Sequence, residues 1–407
     1  MLDPTLEAEG LGPTPFSKAL AGDWAARRGE IADQLGGARV LVVGAAGTIG
    51  GAAVRQLLGF APARLELIDL DENGLARLAR DIRSRGEGGG VAIGFNALDF
   101  AGWPGLALTE ATGPFDLVLN FAAVKHVRSE KNLFTLLHMI DVNVVRQRRF
   151  AAHLAAHGLA RRHFVVSTDK AADPASFMGA TKLLLEAVAF GAADNSDGRV
   201  GAPISTAARF ANVAYSSGSL LESYLQRFEA GQALAAPKDT RRYFISARDG
   251  ARICLLAQLA CAGGRVAAPK FDPASGAVEL AETAAAFLRG RGRRPVFVET
   301  PEAAEALAGV PGPDYPVLVT PRDTAGEKEV EVFHGAGESV EPLNFAALEA
   351  LRPAPIDAAA LREAVDTLER FVTGARRATP RDIEAVIRSV LPSFEHAAAE
   401  ASLDDRI

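Results

Sequence analysis

The stretch Val40-Leu-Val-Val-Gly44-Ala-Ala-Gly47-Thr48-Ile49-Gly50 constrains this chain more than any other segment. Four aliphatic residues run without a polar interruption, and three glycines follow at G-x-x-G-x-x-G spacing. An apolar run of this kind suits a strand buried on both faces. The glycines allow a tight turn, close approach of the backbone to a ligand, and close packing of the next helix on the sheet. The start of that helix then offers N–H groups to a pyrophosphate. Taken alone, such a motif has a plainer reading, a glycine turn with no ligand. The context argues against it: Asp69 stands 19 residues after Gly50, at the end of a second apolar run, 65–68. A carboxylate there can accept hydrogen bonds from both ribose hydroxyls of a dinucleotide. Asp71 and Glu72 add negative charge that would repel a 2′-phosphate. The expected cofactor is therefore NAD rather than NADP.

Further apolar runs at 91–95, 117–119, 164–166 and 204–208 alternate with helical periods at about 48–60, 73–84, 130–157 and 175–193. This alternation predicts an α/β protein with a doubly wound parallel sheet of the Rossmann type. Asn96 and Ala97 close the third run, at the adenine edge of such a sheet, where Asn96 is either a contact or a polar turn residue. Ala122 and Ala123 follow the fourth run and are small enough to let the backbone approach a dinucleotide. After about residue 210 come helical patterns at 217–231 and 246–262. A Gly/Pro-punctuated region, 263–326, holds short strands at 295–298 and 317–319, and helices are predicted near 344–351, 357–374 and 378–390. The expected division is an N-terminal arm (1–37), a dinucleotide-binding domain (38–208), a smaller α/β substrate region (209–340) with some helices returning to the first domain, and a helical C-terminal region (341–407). In the arm, Phe16, Leu20, Trp24, Ile31 and Leu35 recur at near-helical spacing, an amphipathic pattern that packs on its own domain or, alternatively, on another subunit.

A net charge of −6 and a pI near 5.8 argue against a broad nucleic-acid-binding face. Two cysteines, Cys254 and Cys261, exclude a disulfide framework and a cysteine-rich zinc site, and read as buried thiols. No uncharged apolar run reaches the length of a membrane span, and the first residues lack a signal-peptide pattern, so a cytoplasmic protein is expected. His153 and His157 lie four apart on a helix without a paired glutamate, so no metal is expected there. Against 21 phenylalanines there are only four tyrosines (215, 224, 243 and 315), and against thirty-six arginines only eight lysines. Residue types this scarce carry information in their positions.

Several motifs share one order along the chain. They are Ala122-Ala-Val-Lys125-His126-Val, Asp141-Val-Asn143-Val, Ser167-Thr168-Asp169-Lys170-Ala and Met178-Gly-Ala-Thr-Lys182. Arg209-Phe-Ala-Asn212-Val, Gly218-Ser219, Arg242-Tyr-Phe and Gly326-Glu327-Lys328 follow. Together with the glycine loop they resemble an extended short-chain dehydrogenase/reductase over roughly residues 38–335. More narrowly, they resemble the polysaccharide-biosynthesis branch typified by UDP-N-acetylglucosamine 4,6-dehydratases. The resemblance implies an NAD-dependent enzyme acting on a nucleotide-linked amino sugar, in a form without membrane-spanning segments and assembled as a homo-oligomer.

The resemblance also assigns roles. In that superfamily a Tyr-x-x-x-Lys pair exchanges a proton with the substrate hydroxyl. Here Met178 holds the tyrosine's place with Lys182 in register, and a thioether cannot do that work. Thr168 is implied to hold the C4 oxygen, Asp169 to act as acid at C6, Lys170 as base at C5, and Lys182 to bond the nicotinamide ribose. Thr168, Asp169 or a water must relay the C4 proton. An ion pair between Asp169 and Lys170 would oppose both of their roles. Lys125 and His126 flank the substrate, Asn143 caps the active-site helix through a water, and Asn212, Ser219 and Arg242 hold the diphosphate. Ala211 and Thr324 depart from the Gly and Arg common at those places. Resemblance to methionine-containing members implies retention at C5. An epimerase using the same transient ketone, and an NAD-binding regulatory protein that has lost catalysis, are the alternatives.

Overall fold

The computed structural model describes residues 14–191, 202–271, 276–321 and 331–396. Strands β1 (Arg39–Val43), β2 (Arg64–Asp69), β3 (Ala92–Ala97), β4 (Phe115–Asn120), β5 (Ala160–Val166) and β6 (Ile204–Ala208) pair in parallel, in the order β3-β2-β1-β4-β5-β6. All six apolar runs are thus strands of one sheet. Val40, Leu41, Val42 and Val43 are buried, as a strand covered on both faces requires. Strand order reverses between β1 and β4, which opens a crevice beyond their C-terminal ends. The helix Trp103–Thr112, between β3 and β4, was not legible in the sequence. Its apolar and small residues are spread around the helix, so no period marks it.

The sheet continues past β6 to nine strands. Arg265–Pro269 pairs in parallel with β6, Leu348–Arg352 runs antiparallel to it, and Ser339–Glu341 is antiparallel at the edge. The helix predicted near 344–351 is therefore a strand. Leu348, Ala350 and Leu351 are buried in the sheet, and the local helical preference of an Ala/Leu/Glu stretch gives way to that burial. The Asp23 carboxylate also holds the approach to this strand, accepting from Ala346 N at 2.9 Å and Ala347 N at 2.8 Å. Asp23 lies on the helix Pro15–Ala26, so the N-terminal arm packs on its own domain. Phe16, Leu20, Trp24, Ile31 and Leu35 all sit in the main core. Both cysteines are buried.

A smaller layer is built on three parallel strands, Arg294–Val298, Asp314–Thr320 and Leu234–Pro237. The helices Leu220–Glu229 and Leu280–Arg289 close it around Tyr224 and Phe287. In another cluster the C-terminal helices Ala358–Val372 and Pro380–Val390 bring Val365, Leu368, Ile383 and Ile387 against Ile140, Val144, Phe177 and Leu184. Between the helices Leu133–Ile140 and Arg146–Ala156 the chain makes one π turn, Asp141–Val145, which carries Asn143. Among the described residues no helix is long and apolar enough to cross a membrane.

Candidate active site

A cavity of about 710 Å³ opens at the C-terminal ends of β1, β4 and β5. Gly44, Gly47, Thr48, Ile49, Gly50 and Ala123 form one side of it. Gly44 has φ +76, and a Cβ there would stand 2.9 Å from Ala122 N and from the Phe121 carbonyl carbon. A Cβ on Gly50 would come 2.0 Å from the Gly44 oxygen. Side chains are excluded from this loop by its own backbone, as a pyrophosphate cradle requires. Gly47 is the N-cap of the helix Thr48–Leu58 and provides no side-chain cap, whereas Thr14, Asp71, Ser246 and Asp357 cap their helices. The first N–H groups of the glycine helix are left for a ligand.

Asp69, Asn96, Ala97 and Ala122 stand back from the cavity wall. Asp69 is fixed at the end of β2, accepting from Ala46 N at 2.8 Å and Asp71 N at 3.0 Å. Asn96 turns towards β2, donating to Glu66 Oε2 at 2.9 Å and the Leu67 carbonyl at 3.3 Å.

Thr168, Asp169 and Lys170 follow β5 on the cavity wall. Thr168 Oγ1 donates to Asp169 Oδ1 at 2.7 Å, and Lys170 Nζ lies 3.3 and 3.2 Å from the two carboxylate oxygens. Asp169 is buried and Lys170 is exposed. The helix Phe177–Gly191 then presents Met178 and, one turn on, Lys182, both buried and both lining the cavity. Lys182 Nζ donates to the Val166 carbonyl at 2.5 Å. Burial pulls its pKa down to about 7, against the opposing pull of Glu186. Glu130 holds the start of this helix, accepting from Met178 N at 2.7 Å and Phe177 N at 3.1 Å. Asn143 bonds Val124 N and O at 2.8 Å and donates to Thr181 Oγ1, on the helix that carries Lys182, at 3.2 Å.

Lys125 Nζ lies 3.4 Å from Ser216 Oγ, and burial lowers its pKa. The His126 ring packs so closely on Gly218 that a Cβ there would meet it at 2.4 Å. Ser217 N donates to Thr48 Oγ1 at 3.4 Å, so this segment reaches the glycine loop. Ser219 lines the cavity and caps the helix Leu220–Glu229 through Glu222 N at 3.3 Å.

Asn212 and Arg242 form the far wall, and Glu331 joins them from behind. Its carboxylate accepts from Tyr243 N at 3.0 Å and from the Asn212 side chain, with Arg242 Nε at 3.8 Å. Burial pushes the Glu331 pKa up to about 7, and the nearby charge of Asp169 adds to the shift. The sequence alone does not mark Glu331; the nearest signal is Gly326-Glu327-Lys328, which with Thr324 lies outside the described residues. Behind the wall the buried Arg209 guanidinium bonds both oxygens of Glu186 (2.8 and 2.7 Å) and both of Glu338 (2.7 and 2.8 Å). It ties the 333–338 segment to the helix that carries Lys182.

Residues 40–298 match the family described as polysaccharide biosynthesis protein. The chain belongs to that family. The chain is 30% identical over 229 residues to an uncharacterized membrane protein of Methanocaldococcus jannaschii, a match covering 56% of this chain and 65% of that protein. It is 30% identical over 165 residues to the inverting UDP-N-acetylglucosamine 4,6-dehydratase of Campylobacter jejuni, covering 40% of this chain and 48% of that one. The chain thus spans from 38% to 65% of the length of the curated relatives it matches. The Bordetella bronchiseptica enzyme WbmF, solved in complex with NAD+ and UDP, superposes with a TM-score of 0.53 at 14% identity, covering 88% of this chain and 98% of that one. The likeness agrees with the Rossmann-type fold predicted from the apolar runs.

Proposed function

We propose that this protein catalyses the 4,6-dehydration of a nucleotide-linked amino sugar, with UDP-N-acetylglucosamine as the leading substrate and NAD as its cofactor. The observation that carries the reading is the placement of Thr168, Asp169 and Lys170 side by side on the cavity wall, with Met178 where a dehydrogenase tyrosine would stand. The Campylobacter relative, a dehydratase acting on that sugar nucleotide, supports the choice of reaction.

The residues fit the cofactor. The Gly44–Gly50 loop is a cradle that side chains would fill, and each Asp69 oxygen accepts one N–H, leaving capacity for a ribose hydroxyl. NAD, when bound, would take the hydride from C4, leaving a ketone there, and return it at C6 as a proton returns to C5, so that the net change is loss of water. Thr168 holds the C4 oxygen, and Lys182 holds the ribose. The ketone acidifies C5–H, Lys170 takes that proton, and Asp169 gives one to the departing C6 hydroxyl. Lys170 Nζ and the Asp169 carboxylate face each other at 3.2 and 3.3 Å, so the sugar must part them to reach both. Arg242 and Asn212, braced by Glu331, hold the diphosphate, for which the guanidinium fork is suited. Retention at C5 rests on the resemblance to methionine-containing members alone, since the Campylobacter relative is named as inverting. The second acid–base pair favours elimination over simple 4-epimerisation, which has less need of one.

Mass spectrometry after incubating the protein with NAD and UDP-N-acetylglucosamine tests this. A product lighter by one water is expected, and Asp169→Asn should slow its formation by about 10²–10⁴ while leaving NAD binding intact. An isomer of unchanged mass would establish the epimerase instead. Unchanged sugar with both UDP and GDP donors would leave an NAD-binding regulatory protein.

A further inference from the structure

His153 and His157 share one face of the helix Arg146–Ala156 and its C-cap, with no carboxylate beside them in sequence. The fold brings one. Glu110, on the neighbouring helix Trp103–Thr112, places Oε1 3.5 Å from His153 Nε2. One ligand atom from each of the three residues lies within 4.8 Å of the others, and the two imidazole rings are 4.7 Å apart. We propose that Glu110, His153 and His157 form a binding site for a first-row divalent cation of the Zn2+ type, separate from the cavity.

The donor set selects the class of ion. Two imidazole nitrogens and one carboxylate oxygen suit Zn2+, Ni2+ or Cu2+, whereas Mg2+ and Ca2+ prefer all-oxygen sites. The spacing fits as well. Ligand atoms about 2.1 Å from a tetrahedral ion lie about 3.4 Å from one another. His153 and Glu110 already have that separation, while His157 and Glu110 are exposed and free to close the rest.

His153 supplies the independent observation. Its Nε2 is buried and has no hydrogen-bond partner among the described residues, although a carboxylate oxygen faces it at 3.5 Å. An ion between the two would satisfy both. Contacts that need no ion tie the segment just before the helix Trp103–Thr112 to the helix Arg146–Ala156: Arg146 bonds Asp99 at 2.6 Å, and Phe100 meets Phe150 edge-on at 5.3 Å. None of the three residues lines the cavity, so the ion pins two helices and takes no part in the proposed reaction.

Calorimetric titration of Zn2+ into the metal-free full chain at pH 7.5 tests the site. One ion per chain is expected, with a Kd of about 10 µM or tighter, and no response to Mg2+. His157→Ala and Glu110→Gln alter exposed side chains and should each weaken Zn2+ binding tenfold or more, with the metal-free melting temperature unchanged. The assignment is overturned if Zn2+ does not saturate below about 100 µM, or if both variants bind as the parent does.

Discussion

At position 178 a thioether stands where the family resemblance implies a proton-exchanging phenol, and Lys182 one turn later is buried. Its ammonium is disfavoured in the folded state, with a pKa near 7 against the ordinary 10.5. Below pH 7 both states carry the proton and the burial cost is constant. Between about pH 7 and 10.5 the unfolded state binds more protons, so stability should rise with pH across that window. Lys182→Met should flatten this rise relative to the parent when unfolding midpoints in denaturant are compared at pH 7 and pH 9.5; parallel curves would refute the shifted lysine. The scarcity of tyrosine and lysine made position 178 and Lys182 conspicuous, and Thr168, Asp169 and Lys170 were legible through the family motif that they resemble. Glu331 and Glu130 were not. Each acts on a backbone group far away in the chain, 88 residues for Tyr243 N and 47 for Phe177 N, and no local pattern records such a meeting.

The helix Phe177–Gly191 shows how an element is set in place from outside. Its first turn is held by Glu130, and its outer face is covered by the C-terminal region. There Phe394 is fully buried 5.7 Å from the Phe177 ring, and His396 lies 4.3 Å from that ring and 3.2 Å from Glu130 Oε2. Phe394→Ala removes a buried ring and should cost about 3–5 kcal/mol by chemical denaturation. If the helix start loosens with it, turnover should fall more than NAD binding does. The strands inside the first 208 residues were legible because most of them are buried apolar runs, whereas the helix Trp103–Thr112 among them was not. The strand Leu348–Arg352 was not, because its Leu/Ala/Glu composition suits a helix equally well and only pairing with Arg265–Pro269 decides the matter.

At the scale of the whole molecule, the nine-stranded sheet draws strands from both ends of the described chain, and the cavity lies where its order reverses. Among the described residues the most exposed aromatic side chains are Trp103 at 81% and Phe134 at 76%. Apolar groups left so open favour the homo-oligomer expected of this fold, and light scattering on the full chain should give at least twice the 42.7 kDa protomer mass. A monomer across the micromolar range would overturn the expectation.

The sequence by itself determined the parallel sheet, the glycine cradle and the Thr-Asp-Lys cluster. Each of these is a local pattern whose residues are neighbours in the chain or repeat at the period of one element. Only the tertiary structure decided that Glu331 stands behind Asn212 and Arg242, that residues 348–352 are sheet, and that Glu110 faces His153. Those are contacts between distant segments, set by the packing of buried apolar faces, and side chains far apart in sequence leave no spacing from which to read them.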